Sequence, residues 1–208
     1  MRIVAATRNK NKLLELRRIL VGLPVALEGL DAWPDCPEVE ETGASFEENA
    51  HLKASSVARF TALPALADDS GLEVDALGGA PGVRSARYAG ERADDRANLE
   101  KLLHELEGVP AAKRTARFRA AIALAAPDGR IIKTFHGKVE GTIGLAPRGE
   151  SGFGYDPVFY PLGRDLTFAQ MGPGGKDAMS HRADALRQLK DFLLLPEFKE
   201  LFRNYKKI

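Results

Sequence analysis

A short apolar run, Ala65-Leu66-Ala67, meets two adjacent carboxylates, Asp68-Asp69, and then Ser70-Gly71; no other stretch constrains this chain as strongly. Three apolar residues after Pro64 suit a buried strand. A buried strand that ends in charge belongs to an α/β sheet, where ligands gather at the strands' carboxyl ends. Successive residues of an extended chain face opposite sides, so Asp68 and Asp69 can hold separate tasks. One can hold a cation or take a proton from water while the other braces a neighbouring loop. A polar turn without chemistry reads the same four residues equally well.

The flanking pieces make one α/β domain over residues 1–208. Ile3-Val4-Ala5-Ala6 reads as a strand, Thr7-Arg8-Asn9-Lys10-Asn11-Lys12 as a loop, and Leu13, Leu16 and Leu20 as one face of a helix. A strand, a polar loop and a helix start present free N–H groups to an anion. The loop lacks the glycine spacing of a Walker motif, so a solvated cap is the competing reading. Val25–Leu27 reads as a second strand, and the Pro- and acid-rich stretch 31–43, which includes Glu41, as loop. Ser45-Phe46-Glu47-Glu48 has the spacing of a capping box for a helix to about Phe60. Asn49, Lys53 and Ser56 share one stripe of that helix; a lysine there is usually solvated, but on a stripe that faces the cleft Lys53 is aimed at whatever Asp69 and Glu41 hold.

Further on, Leu99, Leu102, Leu103 and Leu106 mark a helix that starts near Asp94 or Asp95 and stops before Gly108 and Pro110. Strand-like runs at 116–126 and 131–136 flank the turn Pro127-Asp128-Gly129-Arg130. Gly152-Phe153-Gly154-Tyr155-Asp156-Pro157 is a loop that can stack a flat base or simply bury its aromatics. Lys176 and Ser180-His181-Arg182 follow, with Ser180 as the cap of a helix through Leu186, Leu189 and Leu193. A last helix restarts at Pro196.

Composition narrows the class. A net charge of +1 gives no global basic field for nucleic acid or an anionic membrane. The one cysteine, Cys36, excludes an internal disulfide framework, and its acidic neighbours mark an unreactive thiol. No stretch resembles a signal peptide or a membrane span, so the expected place is the cytoplasm. Glu41, Asp68 and Asp69 supply hard oxygens that suit Mg²⁺ better than zinc.

Together these blocks resemble the inosine triphosphate pyrophosphatase family, the Ham-type enzymes that remove non-standard purines from nucleotide pools. The resemblance runs in order through Thr7-x-Asn9-x-x-Lys12, Glu41-Thr42-Gly43, Phe46-x-x-Asn49-Ala50, Lys53-Ala54, Ala67–Leu72, Gly78–Gly82, Ser85-Ala86-Arg87-Tyr88, Gly152–Pro157, Thr167-Phe168-Ala169, Lys176 and Ser180-His181-Arg182. It implies a central mixed sheet flanked by helices, two lobes with an active-site cleft between them, and a homodimer. It also implies Mg²⁺-dependent hydrolysis of a purine nucleoside triphosphate to the monophosphate and pyrophosphate.

By the same resemblance, Asp69 is the general base and a metal carboxylate, Glu41 a second metal carboxylate, and Lys53 and residues Thr7 to Lys12 phosphate binders. Ser70 touches substrate. Phe153, Gly154, Tyr155 and Asp156, with Lys176, His181 and Arg182, form the base pocket. Whether Asp68 or Asp69 is the base stays open. Arg8 stands where many members carry Gly, Gln170 where many carry Glu, and the run Gly172–Gly175 reads as a flexible approach to Lys176.

Overall fold

The computed structural model describes residues 2–23, 25–91, 94–196 and 198. The last helix expected from Pro196 falls almost wholly outside the described residues. Among the described residues six strands form one sheet, in the order β2-β1-β3-β4-β5-β6. They are β1 (Arg2–Ala5), β2 (Ala26–Gly29), β3 (Ala65–Val74), β4 (Thr115–Ala125), β5 (Ile131–Ile143) and β6 (Phe159–Pro161). The helices are α1 (Lys10–Ile19), α2 (Phe46–Thr61), α3 (Asp95–Glu105), α4 (Phe168–Met179) and α5 (His181–Leu194). β1 pairs in parallel with β2 and β3, and β5 pairs antiparallel with β6, so the sheet is mixed. None of the described helices is long and apolar enough to cross a membrane.

The chain divides into two compact units: residues 1–69, 121–136 and 184–208, and residues 70–120 and 137–183. In the first, the period-two alternation of the strands sorts side chains into two cores. Ile3, Ala5, Leu66, Ile122 and Leu124 face Leu16 of α1 and Leu186 and Leu189 of α5. Val4, Ala6, Ala65, Ala67, Ala121 and Ala123 face Ala50, Ala54 and Val57 of α2. The second face is almost all alanine, which lets α2 lie close to the strands. In the second unit Leu72, Val74, Leu102, Leu106, Phe118, Tyr155, Phe159 and Phe168 form one core. Its aromatic centre has Phe118 and Phe159 with ring centroids 4.7 Å apart, and Phe159 and Phe168 5.2 Å apart.

The structure departs from the sequence reading at β5, which continues past residue 136 to Ile143, and at two further elements. β3 does not stop at Ala67; it runs on through Asp68, Asp69 and Ser70 to Val74. Its partner β1 is the strand that ends there, at Ala5 opposite Leu66, so the carboxylates still lie past a strand's carboxyl end. Helix α1 starts at Lys10, three residues before the first leucine, because the Asn9 side chain caps it.

Candidate active site

The alternation that sorts the cores also sorts the carboxylates. Asp68 shares the parity of Leu66 and turns to the α1 side, where its Oδ2 meets Lys12 Nζ at 2.8 Å. Asp69 shares the parity of Ala67 and turns to the α2 side, where its Oδ1 lies 2.7 Å from Lys53 Nζ. Lys53 also donates to Glu41 Oε1 at 2.8 Å and to the Asp68 carbonyl at 3.0 Å. Three carboxylates and two ammonium groups are thereby gathered around two consecutive residues of β3. Asp68 and Asp69 are 2% and 5% exposed, so these charges act in a medium that screens them weakly.

Burial opposes the charge on Lys53, but Asp69 and Glu41 outweigh it and hold the ammonium above the ordinary lysine value. Burial also pushes Asp69 above the ordinary carboxylate value, against the pull of Lys53 and Lys12 and with help from Glu41. A carboxylate raised in this way is a stronger base than one in water. Asn49, fully buried on α2, approaches Asp69 Oδ2 from 3.4 Å and accepts the Gly43 N–H at 2.7 Å. Its Oδ1 stands 2.7 Å from where a Cβ on Gly43 would fall, so Gly43 is the residue that lets the Glu41 loop reach α2. The sequence placed Asn49 on the Lys53 stripe without giving it this task; its i, i+4 spacing from Lys53 was the available signal.

The loop before α1 is more occupied than its composition indicates. Asn9 Oδ1 accepts from the N–H groups of Asn11 and Lys12, and Asn9 N–H is given to Thr7 Oγ1. Two of the backbone donors expected to face an anion are thus capped internally. Lys12 is brought to the carboxylates, whereas Arg8 donates to the Cys36 carbonyl at 2.6 Å. Thr7, Lys10 and Arg8 line a groove with Leu13, Leu14 and Arg17 along α1. Burial pushes the Cys36 thiol up from its ordinary value, in keeping with an unreactive cysteine.

The second cluster lies in the loop 151–157, helix α4 and residues 180–182 at the start of α5. Asp156 Oδ2 accepts from Lys176 Nζ at 2.6 Å and from Phe153 N–H at 2.9 Å. Gly152 has φ +82°, and a Cβ there would fall 2.1 Å from the same oxygen, so glycine is required twice over. The Phe153 ring has Lys176 Nζ 4.4 Å from its centroid and the Arg182 guanidinium 5.8 Å away. Arg182, 1% exposed, donates to Ser70 Oγ at 2.8 Å. His181 stacks on Phe118 with centroids 4.8 Å apart, and the Ser180 hydroxyl caps α5 at Ala183 N–H. This unit can offer an aromatic face, cationic donors and a buried carboxylate to a flat polar ring.

Two expected base contacts are placed otherwise. Tyr155 belongs to the core, 4% exposed, and its hydroxyl donates to the Ser85 carbonyl at 2.9 Å. Gly154 gives its N–H to Asp95 Oδ2 at 2.7 Å. The run before Lys176 is also ordered: Gly172, at φ +69°, breaks α4, and Pro173 opens a second helical stretch that carries Lys176. Gln170 completes a capping box with Thr167, its Oε1 accepting the Thr167 N–H at 3.1 Å, as a glutamate there would.

Among the described residues, no group of three or more His, Cys, Asp and Glu is arranged to hold a metal ion by itself. Glu41 Oε1 and Asp69 Oδ1 lie 2.8 and 2.7 Å from the one Lys53 Nζ and are hard oxygen donors. They suit a cation that takes its remaining ligands from a bound molecule and water.

The chain is similar to known proteins over most of its length. The model of the Ham1 family matches residues 3–192. The dITP/XTP pyrophosphatase of Geobacter sulfurreducens is 57% identical over 192 residues, covering 92% of this chain and 96% of that protein. That of Bacillus subtilis is 49% identical over 190 residues, covering 91% and 96%. The solved structure of a HAM1 protein from Coxiella burnetii superposes with a TM-score of 0.85 at 43% identity, covering 93% of this chain and 98% of that one.

Proposed function

The chain belongs to the Ham1 family, and from that membership and the two clusters we propose that it hydrolyses ITP, dITP and XTP to the monophosphate and pyrophosphate. The observation that carries the chemistry is the bridge from Lys53 to Glu41 and Asp69, with Lys12 on Asp68 beside it. Forming a monophosphate and pyrophosphate breaks the anhydride between the α and β phosphates. That step needs an activated water and positive charge to offset the negative charge on the leaving pyrophosphate.

Asp69 takes the proton of the attacking water at Oδ2, the oxygen that Lys53 leaves open. Lys53 keeps the carboxylate ionised and correctly turned, and Lys12 and Lys53 offset phosphate charge. Asp68, tied to Lys12, holds that lysine in place. Glu41 and Asp69 would hold Mg²⁺ together with the phosphates; the ion, when bound, polarises phosphoryl oxygens and offsets leaving-group charge.

Phe153 stacks on the purine, and Lys176, His181 and Arg182 supply donors for a 6-oxo group. Adenine's 6-amino group would leave such buried donors unmatched, a mismatch that discriminates by up to about 10⁴-fold. Free nucleotides are the substrate pool, so the proposed place of action is the cytoplasm. The homodimer is part of the same proposal and is tested by light scattering.

The experiment is pyrophosphate release from dITP during a Mg²⁺ titration, with Asp69→Asn beside the native enzyme. Turnover that needs the ion and is lost in the variant, while dITP still binds, supports the roles given. Undiminished turnover by Asp69→Asn removes Asp69 as the base.

A further inference from the structure

The loop that carries Phe153 is shaped by groups outside it, and the motif Ser85-Ala86-Arg87-Tyr88 has no part in the chemistry above. The two facts meet at the start of α3. Asp95, the first residue of that helix, accepts the Gly154 N–H at 2.7 Å across 59 positions of sequence. The next residue, Tyr155, donates its hydroxyl to the Ser85 carbonyl at 2.9 Å. Ser85 is itself fixed, its Oγ donating to the Gly82 carbonyl at 2.6 Å and accepting the Leu72 N–H at 2.9 Å.

One turn along α3, buried Asn98 ties the motif to the same helix. Its Oδ1 accepts the Ala89 N–H at 2.8 Å and its Nδ2 donates to the Ala86 carbonyl at 3.1 Å. Consecutive residues of the loop are therefore anchored to one rigid body made of the α3 start and the motif. Gly154 has φ +61°, and its N–H sits between Phe153, whose own N–H is held by Asp156, and Tyr155. Fixing that peptide sets where the Phe153 ring stands.

We propose that Asp95 is a positioning residue for the base-binding loop, acting as the acceptor that holds the Gly154 peptide, with the Ser85 carbonyl as the second anchor. The proposal rests on reading residues 151–157 as the base-binding loop. Asp95 is exposed, so its replacement should leave the fold intact. Its charge also favours the N-terminus of α3, a contribution to stability that an amide would lose while keeping the acceptor oxygen. Neighbouring Asp94 caps α3 through Ala97 N–H at 2.8 Å, so its replacement reports helix stability.

The test is steady-state kinetics with dITP and dATP for Asp95→Ala, Asp95→Asn, Asp94→Ala, Tyr155→Phe and Phe153→Ala. Asp95→Ala should raise KM for dITP about tenfold with kcat changed less than about threefold, the signature of lost positioning rather than lost chemistry. Asp95→Asn should restore most of the KM despite the lost charge. Tyr155→Phe should raise KM in the same sense. Asp94→Ala should lower Tm without moving KM. A native KM in Asp95→Ala, while Phe153→Ala raises it, overturns the role of Asp95 alone. Asp95→Asn as impaired as Asp95→Ala overturns the acceptor assignment. A native KM in Phe153→Ala overturns the base-loop reading, and the proposal with it.

Discussion

Asp68 and Asp69 are neighbours in β3, yet each turns to its own lysine, Asp68 to Lys12 of α1 and Asp69 to Lys53 of α2. The strand's alternation separates two buried carboxylates that would repel each other on one face, and gives each a cation. It also gives them different work, because Asp69 shares Lys53 with a second carboxylate, Glu41.

Lys53→Met should lower kcat for dITP by about 10²-fold or more through loss of charge at the phosphates. It also strands Asp69 and Glu41 together, so the fold should lose on the order of 3 kcal/mol in urea unfolding. Adding Asp69→Asn to that variant should recover part of the stability and none of the activity. An additive loss of stability in the double variant would contradict the shared bridge.

Lys176→Met tests the base-binding role proposed for that lysine. With the carboxylates of β3 untouched, turnover of dITP should persist while its advantage over dATP falls by about tenfold or more, since a donor for the 6-oxo group is gone. An unchanged dITP to dATP ratio would place Lys176 outside base selection. Because Asp156 is left buried without its ammonium partner, the variant should also melt earlier.

Gly152→Ala tests the turn that lets Asp156 fold back on the loop. The added Cβ meets Asp156 Oδ2 and also requires φ +82° of an alanine, so a cost of about 1–3 kcal/mol is expected. A raised KM for dITP should accompany it. Thermal unfolding that matches the native protein would show the loop to be freer than described.

The dependence of stability on pH should pass through Arg117. The Thr115 hydroxyl and the Arg117 guanidinium hold the Asp75 carboxyl below its ordinary value. Lys138 and Arg117 do the same for Glu140, against a smaller effect of burial. Depressed carboxyl values stabilise the fold above the unfolded pKa, and that stability is lost as pH falls through the folded value. These groups are largely solvated, so Arg117→Met should cost only about 1 kcal/mol at neutral pH. The difference from the native protein should shrink as pH falls below about 4, towards nothing near pH 2. A gap that stays constant down to acid would mean that Arg117 acts by packing instead.

The carboxylate pair, the lysine stripe of α2, the caps at Ser45 and Ser180 and the start of α3 near Asp94 or Asp95 were legible because each rests on local spacing. The course of β3 was not. Asp-Asp-Ser-Gly has poor strand propensity, and what keeps it extended is the pairing of the sheet and the two lysines, which come from distant elements. Tyr155 and Gly154 were legible as loop residues but not as anchored ones, since Ser85 and Asp95 lie about 60–70 positions away. The order around Lys176 was hidden because glycine-rich sequence reads as flexible, whereas Gly172 at positive φ followed by Pro173 starts a helix.

The most direct test of the account is the product and rate of hydrolysis across ITP, dITP, XTP, GTP and ATP at equal concentration with Mg²⁺. Pyrophosphate is expected as the first product, with kcat/KM for the three non-standard purines at least about 10²-fold above that for ATP. Equal rates for all five, or orthophosphate released first, would contradict it.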